Sequence, residues 1–354
     1  MSTKIRFGVI GLGGMANHHI RLLSELDHAE VTAICDVNAE LLAETGAKLS
    51  IPSEQQFTEV EGLIASEQVD AVISITPNKF HAPVISLCIA HQKPIMTEKP
   101  FTVTFEEAVA LKEQYDQNPI VCMVGFSYRY VAAFRYAKAL LEQGKLGTIR
   151  HIQVEYLQQW GAPMFNTPHT WRFSEEWSGS GALGDLGAHM IDCARYFVGE
   201  FTSVQGLMST FIPERRDVKS GSMRAVDVDD YVSFHGELEG EVVGHFMTTR
   251  NAFGYGNHQQ VTLYGDEGTI QVNCERPDEL RICLPRDAEN AWESQFETWS
   301  VPESYRMNQL EDFIGMIQEG ERKDAPQFMD GFINQRLLDA IIQSSREGRR
   351  HVLD

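Results

Sequence analysis

Long apolar runs are missing from this 354-residue chain. No stretch approaches the ~20 apolar residues of a membrane-spanning helix, which excludes a helical membrane protein. Paired cysteines are missing too. Cys35, Cys88, Cys122, Cys193, Cys274 and Cys283 are scattered, mostly in apolar segments, and form no C-x-x-C pair. That pattern excludes a disulfide framework or a cysteine zinc site and implies reduced, buried thiols. Positive charge is scarce: 30 Lys and Arg against 50 Asp and Glu leave a formal net charge of −20. Nucleic acid and anionic membranes are therefore not expected as partners. The opening MSTKIRFGVIG has no signal-peptide cleavage pattern and no twin arginine, so a cytoplasmic location is expected.

The chain is too long for one ordinary core, and two domains are expected. From residue 4 to about 126, apolar runs alternate with amphipathic stretches: Ile5–Ile10, Val31–Cys35, Val69–Ile75, Pro94–Thr97 and Ile120–Phe126. Runs apolar on both faces and separated by helical segments predict a parallel sheet covered by helices on both sides. After residue 148 the runs are short or alternate with period two, as in IQVEYL, YVSFHGEL and QVTLYG. Glu239-Gly240 and Gly265-Asp266-Glu267-Gly268 read as hairpin turns. Helices are predicted at about 128–144, 181–198, 306–319 and 331–346. The expected architecture is α/β: a Rossmann-type domain over 1–125, then an α+β domain over 126–354 with a large, mostly antiparallel open sheet.

RFGVIGLGGMA places Gly11-x-Gly13-x-x-Ala16 directly after the first strand. Gly11 allows the tight turn, Gly13 lets the backbone approach a pyrophosphate, and Ala16 permits close helix–strand packing. Gly14 and Met15 complete the turn, and the helix N-terminus that follows faces the phosphates. A plain glycine-rich turn is the alternative. Asp36, about 20 residues on, stands at the spacing of the acid that binds the adenosine ribose diol. Its carboxylate would repel a 2'-phosphate, and Val37-Asn38 offers no arginine, so NAD is favoured over NADP. Thr76, Pro77, Asn78 and His81 follow a later strand, whose end lines the same crevice; a simple turn in which Pro77 stops the strand is the alternative.

MTEKPF puts Lys99 at another strand end, between Glu98 and Pro100. Proline restricts the residue before it to extended geometry, which aims the lysine; a solvated lysine would need no such framing. In GSGALGDLGAHMIDCARYFVG, Asp185, His189 and Asp192 are spaced i, i+4, i+7 and share one helix face. An acid one turn before a histidine orients the imidazole and stabilises its protonated form. The alternatives are a solvated polar face or two ligands of a metal. No further spaced ligand set appears, so no metal is expected.

With these pieces in place, the chain resembles the glucose–fructose oxidoreductase / inositol dehydrogenase / MocA (Gfo/Idh/MocA) family of NAD(P)-dependent oxidoreductases. The resemblance runs the full length, through GVIGLGGMA, TPNKFH, TEKPF, VGFSYRY, GKLGTIRHI, GSGALGDLGAHMID, LYGDEGTIQV and the tail NQRLLDAIIQSSREGRRHVL. It implies that Lys99 and His189 touch the reacting hydroxyl, that Asp185 supports the histidine and that the Lys99–Pro100 bond is cis. It further implies that Glu98 anchors the loop or holds the lysine near the cofactor. The implied reaction oxidises a secondary alcohol. Lys99 stabilises developing alkoxide charge, and His189 takes the proton.

Tyr156, Gln158, Trp160, His169, Trp171 and Arg172 gather ahead of that helix. TWRF there resembles the branch acting on sugars and cyclitols, including levoglucosan and glycoside 3-dehydrogenases. An aromatic face suits a sugar ring, and His, Gln and Arg suit its hydroxyls, although packing alone also explains each residue. Tyr128, with Phe126 and Arg129, follows the last strand of the first domain. His258, with Tyr255 and Asn257, lies in a glycine-flanked loop. Relatives commonly pair through the second sheet, so a homodimer or homotetramer is expected, with Val232, Phe234, Val243, Phe246 and Val261 as the candidate patch. Two rival functions remain: an NAD-dependent glycosidase with no net redox change, and a non-catalytic NAD- or sugar-sensing regulator.

Overall fold

The computed structural model describes residues 4–287, 289–320 and 322–353. The chain divides into two compact units, Met1–Gly125 with Asn308–Gln335, and Phe126–Met307 with Arg336–Asp354. No helix among the described residues is long and apolar enough to cross a membrane.

The first unit holds six parallel strands: β1 (Ile5–Ile10), β2 (Ala29–Cys35), β3 (Gln56–Phe57), β4 (Ala71–Ser74), β5 (Ile95–Thr97) and β6 (Cys122–Val124). Their order is β3-β2-β1-β4-β5-β6. This is the doubly wound arrangement, with its crevice where the order reverses between β1 and β4. Phe7, Val9, Ala71, Ile73, Met96 and Met123 are buried in one cluster, because helices cover both faces. The glycine turn, Thr76-Pro77-Asn78 and Glu98-Lys99 leave the carboxyl ends of β1, β4 and β5, at or beside that reversal.

Residues 308–335, which the change of texture assigns to the second domain, belong with the first. Leu310, Phe313, Ile314 and Met316 of the helix Gln309–Glu319 join the first core, with the Phe313 ring 6.1 Å from Phe7. Phe328 stacks on Tyr115 at 4.0 Å. A tail helix buries its apolar stripe wherever a complementary face exists, and sequence order does not fix that choice.

The second unit adds β7 (Ile149–Leu157), β8 (Phe201–Ser209), a ribbon of β9 (Glu214–Arg216) and β10 (Met223–Ala225), β11 (Tyr231–Leu238), β12 (Val242–Thr249), β13 (His258–Gly265), β14 (Gly268–Asn273), β15 (Glu279–Cys283), β16 (Glu297–Ser300) and β17 (His351–Val352). Nine of these form one sheet, ordered β16-β15-β14-β13-β7-β12-β11-β8-β17. Every pairing in it is antiparallel except β7 with β12. Gly240, at φ +71, turns the β11–β12 hairpin.

One face of this sheet is covered and the other is open. Val232, Phe234, Phe246 and Val261 lie on the covered face, each no more than 1 % exposed. Of the five residues assigned to a pairing patch, only Val243 stands on the open face, because strict alternation sends neighbouring side chains to opposite sides. His235 and His245 stack there, with Met247 and Leu207 on adjacent strand positions.

Candidate active site

In the first unit, Gly11 adopts φ +86, and a Cβ there would sit 2.6 Å from the Ile75 carbonyl oxygen. Only glycine fits. A Cβ on Gly13 or Gly14 would meet nothing within 4 Å, so the backbone of the turn lies open. Met15 is exposed, and the helix Ala16–Ser24 starts with no side-chain cap and no acid in its first turn. Its positive end is left for an anion. Asp36 receives the Leu12 N–H at 2.7 Å and the Asn38 N–H at 2.8 Å. These two bonds fix the carboxylate at the end of β2 and leave lone pairs for a diol. An open glycine backbone, an uncapped helix and an oriented acid together fit a dinucleotide.

The loop around Lys99 is held from several sides. The Lys99–Pro100 bond is cis. Glu98 binds His19 through Oε1 at 2.9 Å and accepts the Lys99 N–H through Oε2 at 3.4 Å. A Cβ on Gly125 would lie 2.9 Å from that Oε2, so the bare neighbouring strand end leaves room for the carboxylate. His19 lies about one turn into the helix after the glycine turn and is not among the candidates legible in the sequence. Its side-chain signal is weak, since nothing in NHHIRLL separates it from a solvated histidine.

His81 is a correction. Its side chain is fully buried and its two ring nitrogens face carbonyl oxygens, Pro100 at 2.7 Å and Thr76 at 3.0 Å. Burial pushes its pKa down while both carbonyls pull it up. The ring therefore ties two loops together and offers no edge to a cofactor. Thr76 places its hydroxyl 3.4 Å from Ser74, Pro77 opens the short turn Asn78–Phe80, and Asn78 is buried.

In the second unit, a π-helical turn over Leu183–Gly187 precedes the helix Ala188–Phe197. The uniform i, i+4 helix read from the sequence is thus widened just where Asp185 stands, a deviation frequent at functional sites. His189 is buried, with its ring 4.6 Å from that of Tyr128 and 6.1 Å from that of Tyr156. Those two phenols share a 2.5 Å hydrogen bond. Tyr156 donates to Asn257 Oδ1 at 2.6 Å, Gln158 donates to the same oxygen at 2.7 Å, and Trp160 donates to Gln158 at 2.6 Å. Burial raises the pKa of both phenols, so they stay neutral hydrogen-bonding groups. The result is an uncharged phenol–amide–indole chain beside the histidine.

Other candidates go elsewhere. Asp192 is buried against Arg129, with Nη2 to Oδ1 at 2.6 Å and Nε to Oδ2 at 2.9 Å. His169 is packed against Phe173, and its Nε2 faces the Ala225 carbonyl of the ribbon. Burial, then Arg224, lowers its pKa. His258 pairs in register with Leu157, which sends its ring to the open face of the sheet, opposite Tyr156. There it lies 3.5 Å from Glu155 and 3.3 Å from Glu275. Asn257, its neighbour, is the residue that joins the chain beside His189. Trp171 and Arg172 stack on each other at 4.4 Å and are half-exposed. Asp185 lies 3.2 Å from Arg250, a buried arginine that sequence reasoning passed over.

These features define a dinucleotide-binding oxidoreductase. Residues 5–126 match the oxidoreductase family with an NAD-binding Rossmann fold, and residues 134–271 match the GFO/IDH/MocA C-terminal domain. The chain belongs to this family. It is 34 % identical over 344 residues to a levoglucosan dehydrogenase of Pseudarthrobacter phenanthrenivorans, covering 88 % of this chain and 86 % of the relative. It is 27 % identical to a glucose-6-phosphate 3-dehydrogenase of Bacillus subtilis, covering 96 % and 95 %. Among solved structures, a levoglucosan dehydrogenase in complex with NADH aligns at a TM-score of 0.90, with 31 % identity over 99 % of this chain and 100 % of that one. The chain is thus an NAD-dependent oxidoreductase of the dehydrogenase type.

Proposed function

We propose that the chain oxidises a secondary hydroxyl of a neutral sugar, glycoside or cyclitol. The observation that carries this reading is the uncharged chain Tyr128–Tyr156–Asn257–Gln158–Trp160 beside His189. Phenols, amides and an indole read hydroxyls and stack on sugar faces, whereas a flat apolar substrate would leave them unpaired. NAD, when bound, accepts the hydride. Gly11, Gly13, Gly14, Met15 and Asp36 would hold it, together with the turn at Thr76, Pro77 and Asn78. In this reading the Lys99 ammonium donates to the alcohol oxygen and stabilises its growing negative charge. His189 takes the hydroxyl proton as general base, and Asp185 stabilises the imidazolium that forms. Trp171 and Arg172 are further candidates for the sugar rim.

The test is formation of reduced nicotinamide with NAD and, separately, NADP, across inositols, aldoses, anhydrosugars and glycosides. Turnover on one polyol class is expected. Asp36 carries no arginine beside it, so NADP is expected to bind about tenfold more weakly, the effect of one ~1.4 kcal/mol repulsion. NAD binding without net turnover on any class would transfer support to the glycosidase or the sensor reading.

Self-association through the open face of the nine-stranded sheet is also part of the proposal. Leu207, Val243 and Met247 supply apolar area there beside the His235–His245 stack. Sedimentation velocity is expected to give a homodimer or homotetramer; a monomer at assay concentration removes it.

A further inference from the structure

Arg250 directly follows β12, and its side chain is 1 % exposed. Nη2 donates to the Gly181 carbonyl at 2.7 Å and lies 3.2 Å from Asp185 Oδ2. Nη1 donates to the Arg172 carbonyl at 3.3 Å, and the guanidinium carbon lies 5.0 Å from the centre of the Trp160 ring. Gly161 is pressed so closely on this residue that a Cβ there would sit 2.8 Å from Arg250 Cβ. One cation therefore touches the glycine stretch before the π-turn, the backbone carrying Arg172, the Trp160 indole and the Asp185 carboxylate.

We propose that Arg250 is a positioning residue of the reaction: it holds the Asp185 carboxylate ionised and aimed, and seats the glycine stretch on which Asp185 stands. The proposal rests on the reading of Asp185 as the acid that supports His189. A guanidinium sealed from water needs counter-charge, and Asp185 at 3.2 Å supplies it together with the nearby buried Asp229 carboxylate. The Asp185 carboxylate itself is 23 % exposed while the arginine is 1 % exposed, so the arginine is the fixed partner and the acid keeps an accessible edge. A planar fork serves this geometry, since it donates to two carbonyls while facing the acid; a lysine offers a point charge only.

A passive plug of the same shape would leave Asp185 an ordinary carboxylate. The other groups around the pair do not replace the arginine. Tyr156 faces Asp185 from β7 and stays neutral through its burial. His189 stands one turn on, on the same face as Asp185. Around Arg250 itself lie Asp229, which accepts the Gly181 and Leu183 N–H groups, and Arg215, committed to the Thr167 and Gly161 carbonyls.

The experiment follows the side-chain carboxyl resonance of Asp185 by carbon NMR in aspartate-labelled protein, assigned by its loss in Asp185→Asn. Titrations of the parent, Arg250→Met and Arg250→Lys are compared with the pH profile of kcat/KM, and repeated with His189→Gln to remove the histidine's own titration. Removing the cation is expected to raise the Asp185 midpoint by about 1–3 units. The acid limb of kcat/KM, which reports His189 together with its Asp185 partner, shifts with it, because the charge on Asp185 sets how readily the imidazole takes a proton. Arg250→Lys, which keeps the charge, moves both by less. An unmoved midpoint in folded Arg250→Met that still binds NAD overturns the proposal, as does a moved midpoint with an unmoved acid limb. Should Arg250→Met not fold, the parent decides, and an Asp185 midpoint at or above the ordinary carboxylate range overturns it. A parent without turnover on any polyol defeats the dehydrogenase reading instead and leaves the titration to judge the pair.

Discussion

Lys99→Ala is expected to lower turnover by about 100-fold or more while NAD still binds, and His189→Ala to do the same. The expectation rests on how firmly the loop carrying Lys99 and the ring of His189 are held. Lys99 follows a glutamate bound to His19 and precedes a proline whose carbonyl faces His81. Such a loop cannot re-aim a neighbouring group once the ammonium is gone. His189 is packed against Tyr128 in a buried setting, where water is poorly placed to take a proton in its stead. The two losses differ in form. Without Lys99 the developing charge goes unstabilised at every pH, so the profile drops as a whole. Without His189 the base disappears, and the limb of kcat/KM that reports it flattens. Steady-state rates over pH, with NAD binding followed separately, check both. Parent-like turnover in the two variants would remove the mechanism.

What the sequence reveals here follows from the range of the signal. A strand buried on both faces, a glycine with positive φ and an acid about 20 residues later are local patterns, and β1, Gly11 and Asp36 stand where those patterns place them. Lys99 is framed by its immediate neighbours and is equally local. Arg250, His19 and Arg129 are different. Each acts through a partner far along the chain: Asp185, Glu98 and Asp192. Nothing in Thr-Thr-Arg-Asn distinguishes a buried guanidinium from a surface one. His258 shows the cost of missing register. Its pairing with Leu157 sends the ring to the open face of the sheet, while Asn257 joins the chain beside His189. His169 stands among aromatics in the sequence, as a sugar ligand would, yet those aromatics include the core residue Phe173. The tail helix Gln309–Glu319 has an apolar stripe that suits either core, and only the contact with Phe7 decides.

Asp192→Ala is expected to destabilise the protein by about 3–5 kcal/mol, the usual cost of stripping one partner from a buried ion pair. Spacing alone places Asp192 on the face of Asp185 and His189 and makes it a candidate for the chemistry. The structure gives it Arg129 instead, through a two-point contact with side chains 6 % and 1 % exposed. The pair joins the segment Ser127–Tyr130, which carries Tyr128, to the helix that carries His189. Removing the carboxylate leaves a desolvated guanidinium without its counter-charge, and burial that protected the pair then penalises what remains. Replacing both charges, as Arg129→Met with Asp192→Leu, is expected to recover most of the loss, because an apolar pair of similar volume carries no such penalty. Equilibrium urea unfolding of the parent, the single and the double variant measures this directly. An Asp192→Ala protein as stable as the parent but without turnover would move Asp192 from the scaffold into the reaction. A destabilised single variant rescued by the apolar pair, with turnover restored alongside, would fix it as the strut that sets Tyr128 against His189.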